Sequence, residues 1–285
     1  MKTIRTAIIA IFLTAFSASA VIAGDYADLK FIGFSTDGKY MAFEESGEWD
    51  GAGGEYATTY FIDVEANKYV LPPSKFEWQM ESMKASAKPV LFARYQASVA
   101  AGLKRFKIVR GNTGKQVVAQ LLTDWTNVKP VETDSYWLKD GNQITKKMLN
   151  YEGAFIDRGG LTDKVIFNPW LYVNNFNTDS FYELTLLKTP YKVKPCENSD
   201  DALKIELTLK DNTHHQDIGL QILQKDKDIP TARNCPYGYR IEQVYFYNDH
   251  LAVFLNVFSQ GFEGPDMRYL AVTGRLKYES APPGE

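Results

Sequence analysis

The residues of this 285-residue chain with the most chemical potential sit in two acidic, glycine-containing stretches, one near each end. The first carries Glu44, Glu45, Glu48, Asp50 and Glu55, interrupted by Gly47, Gly51, Gly53 and Gly54; the second, Gly261 to Asp266, carries Glu263 and Asp266. Glycine lets a loop turn its carbonyl oxygens inward, and hard oxygen ligands suit calcium, although the spaced Asp-x-Asp-x-Asp-Gly loop is absent. If the two stretches are neighbours, Glu48 or Asp50 can face Glu263 or Asp266 as a carboxylate pair of the kind glycoside hydrolysis uses, with Trp49 and Phe262 stacking on a sugar ring. The same six residues also describe a non-catalytic recognition surface, where an exposed aromatic anchors and carboxylates give direction. The plainest reading of both stretches is a solvated loop.

Other chemistry is sparse. Asp211-Asn-Thr-His-His-Gln-Asp217 holds two imidazoles and two carboxylates, all suitable for zinc, but adjacent side chains in extended structure diverge and hairpin loops are commonly polar. A Ser-His-Asp arrangement would have to use His214, His215 or His250, the only three histidines. Nucleophile-elbow, zinc-protease, phosphate-loop and thiol-redox signatures are missing. Gly111-Asn-Thr-Gly-Lys115 has the look of a phosphate loop, but Val109 stands where the earlier glycine is required and Gln116 replaces Ser or Thr, so it reads as a turn.

The compartment narrows these options. Lys2 and Arg5, the apolar run Thr6 to Phe16, and the small residues Ala18-Ser19-Ala20 or Val21-Ile22-Ala23 form an export signal. Its apolar part is shorter than the ~20 residues of a membrane span. We expect cleavage after Ala23, residues 1–23 as signal and residues 24–285 as a single secreted mainly-β domain, periplasmic or secreted, with no membrane span after signal removal. No cysteine follows the cleavage site to accept a lipid. The net charge of -3 and the absence of a basic run argue against nucleic acid and anionic lipid, leaving an envelope protein or glycan as partner. The only cysteines, Cys196 and Cys235, should pair in an oxidising compartment. Between them Leu203, Ile205, Leu207 and Leu209 alternate with polar residues, as do Ile218, Leu220 and Ile222 after a polar loop; antiparallel pairing of these runs puts the cysteines near the open end of the hairpin.

The elements that must position these residues are mostly strands. Aromatic residues make up 14% of the chain, which suits a pleated surface. Leu29 to Phe43 reads as a hairpin about Asp37-Gly38, with apolar residues on both faces and hence a sheet covered on both sides. A third strand follows at Thr58 to Val64, and Ala66-Asn67 turns it into Lys68 to Leu71. The pattern returns at Val244 to Phe254, followed by a strand at Arg268 to Val272, so one three-stranded unit is used twice, or alternation recurs by chance. As a repeat, the two units should lie side by side with Phe34 and Phe246 in a common core. Ser82 to Gly102 reads as a helix, with Leu91, Tyr95 and Val99 in register and Gly102 as its stop. Gly111 to Gly114 turns the chain between Phe106 to Val109 and Gln116 to Leu122, and strand signals resume at Phe181 to Leu187. The expected fold is mainly β, with antiparallel sheets in a propeller-like or sandwich-like arrangement and one helix around residues 82–102.

Phe34-Ser-Thr-Asp-Gly-Lys-Tyr-Met-Ala-Phe43 resembles the hairpin repeat of TolB-type β-propellers, in which a Phe-Ser-x-Asp-Gly run starts many blades. Taken whole, the chain resembles a family of predicted secreted bacterial proteins, domain of unknown function 2259. The resemblance lies in the signal ending at Gly24-Asp25, the Phe31-to-Glu45 hairpin, Ile229-Pro-Thr-Ala-Arg-Asn-Cys-Pro236 and Gln260-Gly-Phe-Glu-Gly-Pro-Asp266. It implies export and carries no activity. The functional expectation is a non-enzymatic binding or interaction module of the cell envelope; the alternative is a secreted carbohydrate-active hydrolase using the acidic-loop carboxylates.

Overall fold

The computed structural model describes residues 24–49, 53–120, 136–137, 143–144, 162–167, 182–192, 196, 202–211, 218–261 and 265–276. The first sheet is built from β1 (Asp28–Phe34), β2 (Tyr40–Trp49), β3 (Gly54–Asp63), β4 (Lys68–Tyr69) and β5 (Ser74–Gln79), all antiparallel, with β3 pairing β2 on one side and both β4 and β5 on the other. Helix α1 (Ala87–Arg105) follows, then β6 (Lys115–Ala119) and a two-stranded pair, β7 (Tyr136–Trp137) with β8 (Gln143–Ile144). An outer sheet has the order β12 (Ile218–Lys225), β11 (Leu203–Asp211), β10 (Tyr182–Pro190), β9 (Thr162–Phe167). The last sheet has the order β15 (Pro265–Arg275), β14 (His250–Gln260), β13 (Gly238–Tyr247), β6.

These elements stack as helix, sheet, sheet, sheet. One face of the first sheet presents Ala42, Ala57, Phe61, Phe76 and Trp78 to Tyr95, Val99 and Leu103 of α1. Its other face packs Phe34, Met41, Phe43 and Ile62 on Ala252, Phe254 and Ala271 of the last sheet. That sheet in turn buries Leu251, Val253 and Leu255 against Leu184, Leu186, Ile205 and Leu207 of the outer sheet. The sequence of β14 follows from its central place: a strand with both faces covered reads as a nearly continuous apolar run, and every residue from His250 to Ser259 is buried. In β11, where one face meets solvent, buried Ile205, Leu207 and Leu209 alternate with half-buried polar residues. Of the two expected arrangements the sandwich-like one fits, since the sheets stack face to face and none closes into a barrel.

Most expected elements are present, with instructive differences. The Asp37-Gly38 turn joins β1 to β2, and Asp37 Oδ1 accepts hydrogen bonds from Ser35 Oγ at 2.7 Å and Lys39 N at 3.2 Å. The covered first sheet and the β11–β12 hairpin form as expected, the latter pairing Glu206 with Lys225 and Asp211 with Ile218. Both end units are antiparallel meanders, β1–β2–β3 and β13–β14–β15, packed on each other. Phe246, however, does not join Phe34: it points into the core shared with the outer sheet, and Tyr247 stacks on Phe34 instead, ring centroids 5.5 Å apart. Side chains alternate faces along a strand, so a displacement of one residue in matching the units exchanges the two cores.

The helix runs from Ala87 to Arg105, later at both ends than expected. Gly102 is not its stop but a contact point, because a Cβ there would lie 2.3 Å from Cζ of Phe61. The glycine lets α1 settle on the sheet.

Candidate functional site

The described part of the first acidic stretch is mostly strand. Glu44 to Trp49 belong to β2 and Gly54-Glu55 to β3, paired Glu44 with Thr59, Glu48 with Glu55 and Trp49 with Gly54. Strand geometry therefore sorts its residues onto two faces. Glu44, Ser46 and Glu48 face α1, whereas Glu45, Gly47 and Trp49 face the last sheet.

On the helix side the sheet and α1 diverge, leaving a groove of about 470 Å³. Its floor carries the carboxylates Asp28, Glu44, Glu48 and Glu55, with Lys30 and Arg110 at the margin, and its wall is formed by the rings of Phe76, Phe92 and Tyr95. Glu44 is fixed there. Its Oε2 accepts hydrogen bonds from Thr59 Oγ1 at 3.4 Å and from the Tyr95 hydroxyl, and Lys30 Nζ lies 4.0 Å from its Oε1. The Tyr95 and Thr59 hydroxyls are themselves 2.7 Å apart. Burial, and next the bond to Glu44, push the Tyr95 phenol well above its ordinary pKa. Glu55 is bonded by Lys88 Nζ, which also lies 4.8 Å from the Trp78 ring centroid. Glu48 is exposed and makes no hydrogen bond or ion pair among the described residues. Phe92, 41% exposed, meets Phe76 edge-on at 5.3 Å.

On the opposite face Trp49 packs on Tyr56 at 4.7 Å, and the Arg268 guanidinium lies 5.1 Å from the Tyr56 ring and 5.9 Å from that of Trp49. Arg268 Nη1 donates to the Asp25 carbonyl at 2.6 Å, and Asp25 N donates to Asp266 Oδ1 at 3.2 Å. Burial pushes the Tyr56 phenol up to about 12. Trp49 is thus a packing residue whose indole N–H is buried, not an exposed anchor. Glu45 goes deeper still: its Oε1 accepts the Tyr269 N–H and its Oε2 the Tyr60 hydroxyl at 3.1 Å, and burial raises its pKa against both bonds.

Of the six expected surface residues, Glu48 and Trp49 lie on opposite faces of the sheet. Glu48 lines the groove, Trp49 sits on the reverse of the same sheet, Asp266 is the second residue of β15 beside Asp25, and Asp50, Phe262 and Glu263 lie outside the described residues. The zinc-type loop from residue 212 to residue 217, with His214 and His215, also lies outside them. His250 is buried at the start of β14, its Nδ1 2.9 Å from Asp249 Oδ1, with Gly38 of the β1–β2 turn against its ring. Among the described residues no group of three or more His, Cys, Asp or Glu side chains is placed to hold a metal ion.

Cys196 and Cys235 stand at disulfide distance, Sγ to Sγ 2.11 Å and Cα to Cα 5.5 Å, beyond the Leu203 end of the β11–β12 hairpin where Leu203 N donates to the Pro236 carbonyl at 2.7 Å. The stretch Ile229 to Pro236 is held by Arg233, whose Nη1 and Nη2 reach Asp226 Oδ2 and Oδ1 at 2.5 and 3.1 Å. Asp226 also accepts the Ile205 N–H at 3.1 Å, so a buried ion pair ties this stretch to β11. Neither Asp226 nor the groove residues Thr59, Phe92 and Lys88 stood out in the sequence. Tyr95 was marked only by its helical spacing.

The fold and groove define a layered, antiparallel mainly-β protein with one helix-covered face. The chain belongs to the family described as predicted secreted protein (DUF2259), whose model matches residues 42–275. Of the four regions of resemblance, Ile229 to Pro236, Gln260 to Asp266 and the end of the Phe31-to-Glu45 hairpin lie within the matched residues, and the family's description supports an exported location. Comparison with curated proteins and with solved structures finds no match. No helix among the described residues is long and apolar enough to cross a membrane.

Proposed function

We propose that this protein is a non-enzymatic binding module of the bacterial cell envelope, acting in the periplasm of a Gram-negative cell as one domain, residues 24–285, after removal of residues 1–23. Its ligand site is the groove under α1. The observation that carries this reading is a cleft of about 470 Å³ in which carboxylates on a sheet face an aromatic wall whose Phe92 ring is exposed. That volume is in the range of ligand clefts, and a few fixed polar groups among apolar ones are what such clefts use for orientation. Among the described residues that line it there is no histidine or cysteine, so a Ser-His or Cys-His pair has no counterpart among them. The partner is an envelope protein or glycan. Capture from envelope extract by the mature protein tests the reading: Phe92→Ala with Glu48→Gln should lose the captured species, while Glu183→Gln on the outer sheet should retain it. Equal capture by all three would remove the groove from consideration.

One observation favours a second reading. Glu48 and Glu55 are direct cross-strand partners and form a carboxylate pair at the open end of the cleft. Turnover of a glycan by the wild type, abolished by either Glu48→Gln or Glu55→Gln, would replace the binding module with a carbohydrate-active hydrolase.

A further inference from the structure

We propose that the groove takes an extended basic peptide segment, which adds to the free edge of β1 and sends its cationic side chains to Glu48 and Asp28. This rests on the groove being the binding site and names its ligand class.

Charge gives the first argument. Of the four carboxylates in the lining, Glu44 is matched by Lys30 and Glu55 by Lys88, whereas Glu48 and Asp28 have no hydrogen-bonding or ion-pairing partner among the described residues. Glu48 also stands directly opposite Glu55 on the neighbouring strand. Like charges in register on a sheet are destabilising, and Lys88 is shared with only one of the pair. A lysine or arginine from a ligand would relieve that repulsion, and an anion would add to it. The exposed face of Phe92 beside these carboxylates offers apolar surface for the aliphatic stem of such a side chain.

The strand edge gives the second. β1 is an edge strand, and the half towards Phe34 is covered by main chain: Gly111 N donates to the Ile32 carbonyl at 2.9 Å, Val109 N to the Phe34 carbonyl at 3.1 Å, and Phe34 N to the Asn112 carbonyl at 2.8 Å. The half from Asp28 to Lys30 has no such cover among the described residues. The extra residue at Phe31/Gly33 interrupts the alternation there; counting instead from Ala27, whose N–H turns away from β2 to the Met267 carbonyl at 3.0 Å, Leu29 turns its N–H and C=O to the free edge while Asp28 and Lys30 turn theirs to β2. Asp28 and Lys30, on either side of Leu29, line the groove. An extended chain adding here would gain main-chain hydrogen bonds at the edge and present alternate side chains to the carboxylates, the division of labour used in strand addition. A compact polyamine would use the charges but not the edge.

The test uses the mature protein and a short fluorescein-labelled peptide of alternating lysine and threonine, read by anisotropy. We expect saturable binding that weakens with added salt and weakens about tenfold or more in Glu48→Gln, as for loss of one charge-assisted contact. N-methylation of alternate peptide nitrogens should abolish it, and Glu183→Gln should leave it unchanged. Equal binding of the glutamate–threonine counterpart would overturn the proposal, as would N-methylated peptide or spermine competing as strongly as the parent. If the basic peptide fails to bind while capture from envelope extract still depends on Phe92 and Glu48, the peptide inference falls and the groove stands. If that capture is also independent of both residues, the two fall together.

Discussion

The meander at the start of the fold and the meander at its end are built alike and finished differently. Each consists of three consecutive antiparallel strands, each carries one extra residue in its opening strand, at Phe31/Gly33 and at Ile241/Gln243, and each buries a glutamate, Glu45 or Glu242. They pack on one another through Phe43 and Phe254, ring centroids 5.4 Å apart. The contrast lies in what covers their outward faces. The last meander is covered by a four-stranded sheet, and the matching face of β14 is apolar from Leu251 to Val257. The first is covered by a single helix, of which only Tyr95, Val99, Gly102 and Leu103 are buried. A helix is about 10 Å wide with its side chains and cannot span five strands. Where its cover runs out, the sheet face changes from Ala42 and Phe61 to Glu44, Glu48 and Glu55, and the groove begins. The candidate site is thus a product of incomplete cover rather than of a dedicated loop.

Removing the contact the two meanders share should have the largest effect. Phe254 is fully buried between them, and Phe254→Ala should cost about 3–5 kcal/mol in chemical denaturation; a loss under about 1 kcal/mol would mean they do not share a dry interface. Next comes the crosslink on the other side of the last meander. Cys196 and Cys235 are 39 residues apart, so replacing both by Ala should cost up to about 4 kcal/mol in the chain-entropy model. The unfolded, unreduced wild type should show no free thiol, and two titratable thiols would refute the bridge. Gly102→Ala should cost about 1–3 kcal/mol, because the new methyl meets the Phe61 ring. Hydrogen exchange should then rise in α1 and β3 but not in β10 and β11; a uniform rise would deny that the helix side is independently covered.

The smallest expected effect concerns Glu45 and pH. Burial raises its folded pKa above the unfolded value, so the native state holds the proton more tightly. Its contribution to stability is therefore fully present below the ordinary glutamate range and is lost as pH rises through the folded value. Glu45→Gln should flatten stability across that window in denaturation curves taken at several pH values, and an unchanged slope would assign it to another group.

Features set by local chemistry were legible in the sequence. Asp37-Gly38 marked a turn, apolar residues on both faces of Leu29 to Phe43 pointed to a sheet covered on both sides, and alternation in residues 203–209 and 218–222 pointed to a hairpin whose end holds the cysteines. Features set by distant partners were not. Gly102 has the look of a helix stop, yet its constraint is the ring of Phe61 on β3. Gly47, Gly53 and Gly54 made a strand pair look like a loop, because pairing with β3 and β5 outweighs the weak strand preference of glycine. Once residues 44–49 were read as a loop, the separation of Glu48 from Trp49 could not be foreseen. One signal was present and passed over: Ser74, Phe76 and Trp78 alternate with Lys75, Glu77 and Gln79, the clean pattern of β5, which places Phe76 in the groove wall.

The central position of the last sheet also dictates an order of events. A chain that emerges from its N-terminus delivers the first sheet and then the outer sheet, each with an apolar face whose cover comes mainly from residues 238–276. Neither core can close until those last strands arrive, and the contacts that close them join residues more than two hundred positions apart, such as Thr273 Oγ1 to the Val64 carbonyl at 2.8 Å. Contacts of such long range make folding slow, so the architecture itself keeps the chain open until nearly all of it has been delivered.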